Sequence, residues 1–113
     1  MDINEKIAAF DPNGMGDTNG TIYGLPFDAD TANLVILPVP WEVTVSYQAG
    51  TASAPEAIRE ASYQVDLFDP FVKDAWKLGL AMKDIDPDLA ATSNIMRKKA
   101  EHYINQLAGC NRI

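Results

Sequence analysis

The run LVILPVPWEVTVSYQAGTASAPEAIREAS, Leu34–Ser62, decides how the rest of this chain is read. Leu34, Val35, Ile36 and Leu37 are four apolar residues in succession. Such a run suits a strand covered on both faces, as in a parallel sheet, better than the alternation of a half-exposed strand. Pro38 and Pro40 lack the N–H that a sheet ladder needs, so the strand is expected to stop there. Gly50 permits a sharp loop path. Ser53 or Ala54 then precedes Pro55, which suits the first helical position because its missing N–H has no intrahelical partner to lose. Glu56 falls in the first turn, where a negative charge complements the helix dipole. In open α/β sheets ligands bind beside the loops that leave the carboxyl ends of strands, which makes Trp41–Ser53 the loop to examine.

Ahead of this run, residues 1–32 read as an amino-terminal arm. Ile3, Ile7 and Phe10 fall on one face of a short helix, Asp11-Pro12-Asn13-Gly14 reads as a turn, and Ile22–Asp28 is apolar enough to dock on a domain or a partner subunit. Residues 33–113 read as a partial α/β domain. After the first helix, Val65, Leu67 and Phe68 suggest a short edge strand or extended piece ended by Pro70. Trp76, Leu78, Leu80 and Met82 recur at every second residue, the period of a strand. The last element is a helix capped by Asp86 or Asp88, with Pro87 in its first turn. Leu89, Met96, Ala100, Tyr103 and Leu107 line one face, Arg97, Lys98, Lys99 and Glu101 the wet side, and Gly109 closes it. The order strand, helix, extended piece, strand, long helix is the opening of an α/β sheet with parallel strands. Two strands enclose little core, so the expectation is a chain that stops inside a fold, completed by partner chains or by a longer parent sequence.

The 113 residues allow one domain at most, and 47% hydrophobic with 22% charged residues is the composition of a soluble globular protein. A net charge of −7 argues against a nucleic-acid partner, which needs clustered lysine and arginine. Cys110 is the only cysteine, so no intrachain disulfide forms, and this favours a reducing compartment. No apolar run approaches the roughly 20 residues of a membrane span, and the acidic start MDINEKIAAFDPNG lacks the basic opening of a secretory signal. The expected location is cytoplasmic.

Within the loop, Trp41, Tyr47 and Gln48 offer stacking and hydrogen-bonding groups, and Glu42 offers a carboxylate that attracts a cation. The competing structural reading packs Trp41 and Tyr47 against the sheet, with Glu42 paired to Arg59 or solvated. Elsewhere, Asp84-Ile85-Asp86-Pro87-Asp88 has the carboxylates of a cation site but the position of a helix cap. Cys110 and His102 are eight residues apart on and after one helix, too far to form a nucleophile–base pair. Gly50-Thr51 belongs to no phosphate-binding glycine motif.

Pro40-Trp41-Glu42, followed by Gly50, Pro55, Ile58 and Arg59, resembles the first strand–loop–helix of the ureohydrolase family: arginases, agmatinases, formimidoylglutamases and guanidine hydrolases. Members show a G-x-P-F-D-like strand end, a glycine, and G-P-x-x-I-R at the helix start. Here Leu37 or Pro38 stands where the strand-end glycine is usual, and Glu42 replaces the aspartate. The resemblance runs from about Asn33 to Leu107, its specific part from Pro40 to Ser62. It implies the amino-terminal part of a three-layer parallel-sheet fold and a hydrolase of linear guanidines or amidines. It further implies a two-manganese centre whose hydroxide attacks the carbon, a guanidino or amidino substrate, and a homo-oligomer. It places Trp41, Glu42, Tyr47, Gln48 and Gly50 at the rim of the substrate site. The family's metal motifs lie later in its fold, and none is recognised here, so no residue of this chain is expected to be catalytic or to bind manganese. The alternative is a small non-catalytic α/β module that associates through an exposed strand edge.

Overall fold

The structure, a computed structural model, describes residues 2–16, 21–43 and 49–109. Five regular elements follow one another: α1 (Ile3–Ala9), β1 (Leu34–Ile36), α2 (Ala54–Ser62), β2 (Leu80–Met82) and α3 (Pro87–Gly109). β1 and β2 pair in parallel, with Leu34 opposite Leu80, Val35 opposite Ala81 and Ile36 opposite Met82. The fold class is therefore α/β, and the crossover between the two strands carries α2. The chain divides into two compact units, Met1–Pro38 with Glu56–Asp84, and Val39–Pro55 with Ile85–Ile113.

In the first unit the core is Leu25, Phe27, Trp76 and Ala81. Leu25 and Phe27 come from the segment ahead of β1. Ile3, Ile7 and Phe10 pack onto the same cluster from α1 and its end, and the Phe10 and Trp76 rings lie 4.7 Å apart. A turn delivers the chain to β1: Asp28 Oδ1 accepts hydrogen bonds from the Asp30 and Thr31 amides and the Thr31 hydroxyl, each at 3.0 Å. The Thr31 hydroxyl is the chief reason that the Asp28 carboxyl sits below the usual carboxylate range. The Thr21 hydroxyl accepts the Met82 amide at 2.6 Å and so occupies a β2 donor that a further strand would otherwise take.

Two features of the sheet differ from the sequence reading. β1 is not covered on both faces: Leu34 is 59% exposed, and Leu37, just past the strand's end, 70%. The buried positions belong to β2 instead, where Ala81 and Met82 are buried and Ala81 is part of the core. Among the described residues only two three-residue strands form the sheet, and the apolar run of β1 has no layer of its own over it. The Trp76–Met82 alternation is also not one strand. Ala75–Leu78 is a turn of 3-10 helix, entered through Asp74 at φ 51° and left through Gly79 at φ 82°. Positive φ on both sides interrupts the extended path, so β2 begins only at Leu80. Gly79 is required there, because a Cβ would lie 3.2 Å from Phe27 Cε1 and 3.3 Å from the Asn33 nitrogen. The stretch 65–69, read as an edge strand or extended piece, bends at Val65, has no regular structure from Asp66 to Asp69 and joins no ladder.

In the second unit α3 starts as its sequence predicts. Asp86 Oδ1 accepts the amides of Asp88 at 2.9 Å and Leu89 at 3.4 Å, and Pro87 takes the first helical position. Its less exposed side chains are Leu89, Ala90, Ser93, Arg97, Ala100 and Leu107, so Leu89, Ala100 and Leu107 fall where the sequence places them. Met96 and Tyr103, predicted for that face, are exposed, and Arg97, predicted for the wet side, is half-buried. Apolar residues occur all round this helix, Ile95 and Ile104 included, so their number does not select a face. Hydrogen bonding by Ser93 and Arg97 selects it.

Candidate functional site

The loop that leaves the strand end is organised around Glu42. The bond from the Trp41 amide to the Val39 carbonyl, at 2.9 Å, folds Val39–Trp41 tightly before it. Glu42 is 7% exposed, an unusual degree of burial for a glutamate, and its main chain is held on both sides by one hydroxyl. The Glu42 amide donates to Ser93 Oγ at 2.7 Å, and Ser93 Oγ donates back to the Glu42 carbonyl at 3.0 Å. Ser93 is 1% exposed, so both bonds are shielded from water.

The carboxylate is equally engaged. The Gly50 amide donates to both oxygens at 3.1 Å, the Ala52 amide to Oε1 at 3.1 Å, and Arg97 Nη1 to Oε2 at 3.2 Å. The Ala52 and Gly50 amides, with Arg97 after them, hold the Glu42 carboxyl below the usual glutamate range by bonding its ionised form. Gly50 reaches this position with φ 129° and ψ −6°, a conformation open to glycine and strained for other residues. Past it, the Ser53 hydroxyl and amide both return to the Gly50 carbonyl, at 2.7 and 3.0 Å, in the 3-10 turn that leads into α2.

The five residues singled out from the sequence therefore have distinct positions. Glu42 and Gly50 meet. Trp41 lies at the surface, 39% exposed. Tyr47 and Gln48 lie outside the described residues. Glu42 is not paired to Arg59; that guanidinium bonds both oxygens of Glu56 one turn earlier in α2, at 2.8 Å, and this bond raises its already high pKa. Ser93 and Arg97 are the residues that sequence reasoning missed. Their only sequence signal is the three-and-four spacing with Ala90 and Ala100, which apolar periodicity does not detect.

His102 is exposed, with Gln106 Nε2 at 3.2 Å from its Nε2, and Cys110 lies outside the described residues. Asp86, from the acidic run before α3, is occupied as a helix cap.

A parallel β–α crossover whose first strand runs into a glycine-pivoted loop defines an α/β protein with its loop architecture at a strand's carboxyl end. The arginase family model matches residues 32–111, which is most of the chain. The chain belongs to the arginase family. It is similar to an N(1)-aminopropylagmatine ureohydrolase from Synechocystis sp., 46% identical over 41 residues. That stretch is 36% of this chain and only 13% of the relative. No solved structure gives a significant match.

Proposed function

We propose that this chain is the amino-terminal strand–loop–helix portion of a ureohydrolase-type enzyme that hydrolyses linear guanidines or amidines. The observation that carries this reading is the family match over residues 32–111, which includes the whole loop built on Glu42 and Gly50. The similarity to a protein named for aminopropylagmatine favours an amine-bearing guanidine as substrate class. Trp41, Tyr47, Gln48 and the Glu42–Gly50 loop would stand at the rim of the substrate site, and the working enzyme would be a homo-oligomer. We place the protein in the cytoplasm; among the described residues no helix is long and apolar enough to cross a membrane.

Two manganese ions are the family's cofactor. Among the described residues no three His, Cys, Asp or Glu side chains converge to hold a metal ion, so these residues do not fit a manganese pair. What the described residues would supply to such a reaction is a parallel strand pair and a loop held in a set conformation.

Two measurements test the reading. The first is the coding sequence immediately after Ile113. An apolar strand ending in G-G-D-H within a short distance supports it, and a stop codon with no downstream frame bearing such motifs overturns it. The second is calorimetry of the 113-residue chain with manganese, where stoichiometric tight binding of two ions would place the metal centre in this chain and refute the assignment of a purely architectural part.

A further inference from the structure

We infer that Glu42 is a positioning residue: its carboxylate is a tethered anion that fills a nest made by the Gly50 and Ala52 amides and Arg97, and it thereby fixes the turn that begins at Gly50. The inference stands on the geometry of the second unit and does not depend on which reaction the family member performs.

An ionised carboxylate offers about four lone-pair sites. Four contacts reach Glu42: two from the Gly50 amide, one from the Ala52 amide and one from Arg97. Nothing is left over for a cationic substrate, and the side chain is buried with its oxygens turned inward to these donors. The nest has the features of a built anion site. Two amides two residues apart converge because Gly50 adopts φ 129°, and a guanidinium supplies the countercharge. Arg97 Nε also lies 3.9 Å from Glu101 Oε1, one turn along α3, too far for a hydrogen bond. Arg97 is the only charged side chain in contact with the Glu42 carboxylate among the described residues.

Ser93 makes the delivery accurate. By bonding both the amide and the carbonyl of Glu42, it fixes the main chain from which the carboxylate extends. The same acid thus ties the segment after β1, the turn before α2 and the middle of α3. A glutamate at this position reaches one methylene farther than an aspartate, so the nest is matched to the longer side chain, and Glu42→Asp should fail to span it.

The test is amide hydrogen exchange by NMR on the 113-residue chain, comparing wild type with Glu42→Gln, Glu42→Asp and Glu42→Ala. Each is measured in sodium formate and in sodium chloride of equal ionic strength. Charge-assisted bonds are the stronger kind, so in Glu42→Ala the Gly50 and Ala52 amides should lose about tenfold or more of their protection. Formate should restore it in that variant and change nothing in wild type. The Met82 amide, bonded in the first unit to Thr21, serves as the internal control and should stay constant. Glu42→Gln keeps the size of the side chain and covers the case of an alanine variant that does not fold. It should lose protection at the same two amides, together with its dependence on pH. Unchanged protection in Glu42→Gln overturns the inference, and so does a loss in Glu42→Ala that formate leaves untouched.

Discussion

Replacing Ser93 with alanine isolates the contact on which the loop depends. The hydroxyl makes two hydrogen bonds, from the Glu42 amide at 2.7 Å and to the Glu42 carbonyl at 3.0 Å, and the residue is 1% exposed. At about 1 kcal/mol net for each bond, their loss is worth about 2 kcal/mol, more where the orphaned N–H finds no water. Alanine is the better helix former by roughly 0.5 kcal/mol, which offsets part of this. The expected cost of Ser93→Ala is therefore about 1.5–2.5 kcal/mol. Thr92→Ala is the matched control, one residue away on the same helix. Its exposed hydroxyl bonds only the Asp88 carbonyl of its own helix, at 2.8 Å, and its removal should change stability by no more than about 0.5 kcal/mol. Urea unfolding followed by far-ultraviolet circular dichroism reads α3, the longest helix of the chain, in both variants. Exchange of the Glu42 amide reads the contact itself, where 2 kcal/mol corresponds to about a thirtyfold change. A Ser93→Ala chain as stable as Thr92→Ala, with the Glu42 amide equally protected, would refute the argument that this hydroxyl holds the loop.

Three further outcomes are expected. Folding lowers the pKa of Glu42, so the folded state binds fewer protons there; its stabilising effect is complete above the usual glutamate value of about 4.3 and fades as pH falls through the lower folded value. Urea midpoints measured from neutral to acidic pH should thus fall more steeply in wild type than in Glu42→Gln, and parallel profiles would contradict the assignment. Gly79→Ala must adopt φ 82° and place a methyl 3.2 Å from the Phe27 ring, a combined strain of about 1–3 kcal/mol that thermal unfolding should register. Phe27→Ala opens the core beside Leu25 and Trp76 and should cost about 3–5 kcal/mol, read from the loss of the first unit's amide protection.

Local chemistry made much of this molecule legible from its residues. Apolar succession at Leu34–Leu37 announced a strand, prolines ended it, Gly50 and Pro55 marked the pivot and the start of α2, and Asp86-Pro87 opened α3. Each of these acts within a few residues of itself, through a missing N–H, an allowed φ or a capping carboxylate, so no distant partner was needed to infer it. The same run carried the family resemblance, because the motif is contiguous.

What failed to show in the residue order depended on which groups meet. Trp76–Met82 has the period of a strand, yet positive φ at Asp74 and Gly79 confines the strand to Leu80–Met82. Burial of β1 was overstated, since cover comes from whatever layer packs on a strand and not from its own apolarity. The packed face of α3 was legible in part: Leu89, Ala100 and Leu107 are half-buried as expected, whereas Ser93 and Arg97, fifty-one and fifty-five positions from Glu42, join that face through hydrogen bonds that apolar periodicity does not show. The residues of Leu34–Ser62 thus determined by themselves the strand, the pivot and the helix start, and carried the family resemblance. Only tertiary structure decided that Glu42 faces inward, because a carboxylate's role is set by the donors that surround it, and one of these is a guanidinium from a distant helix.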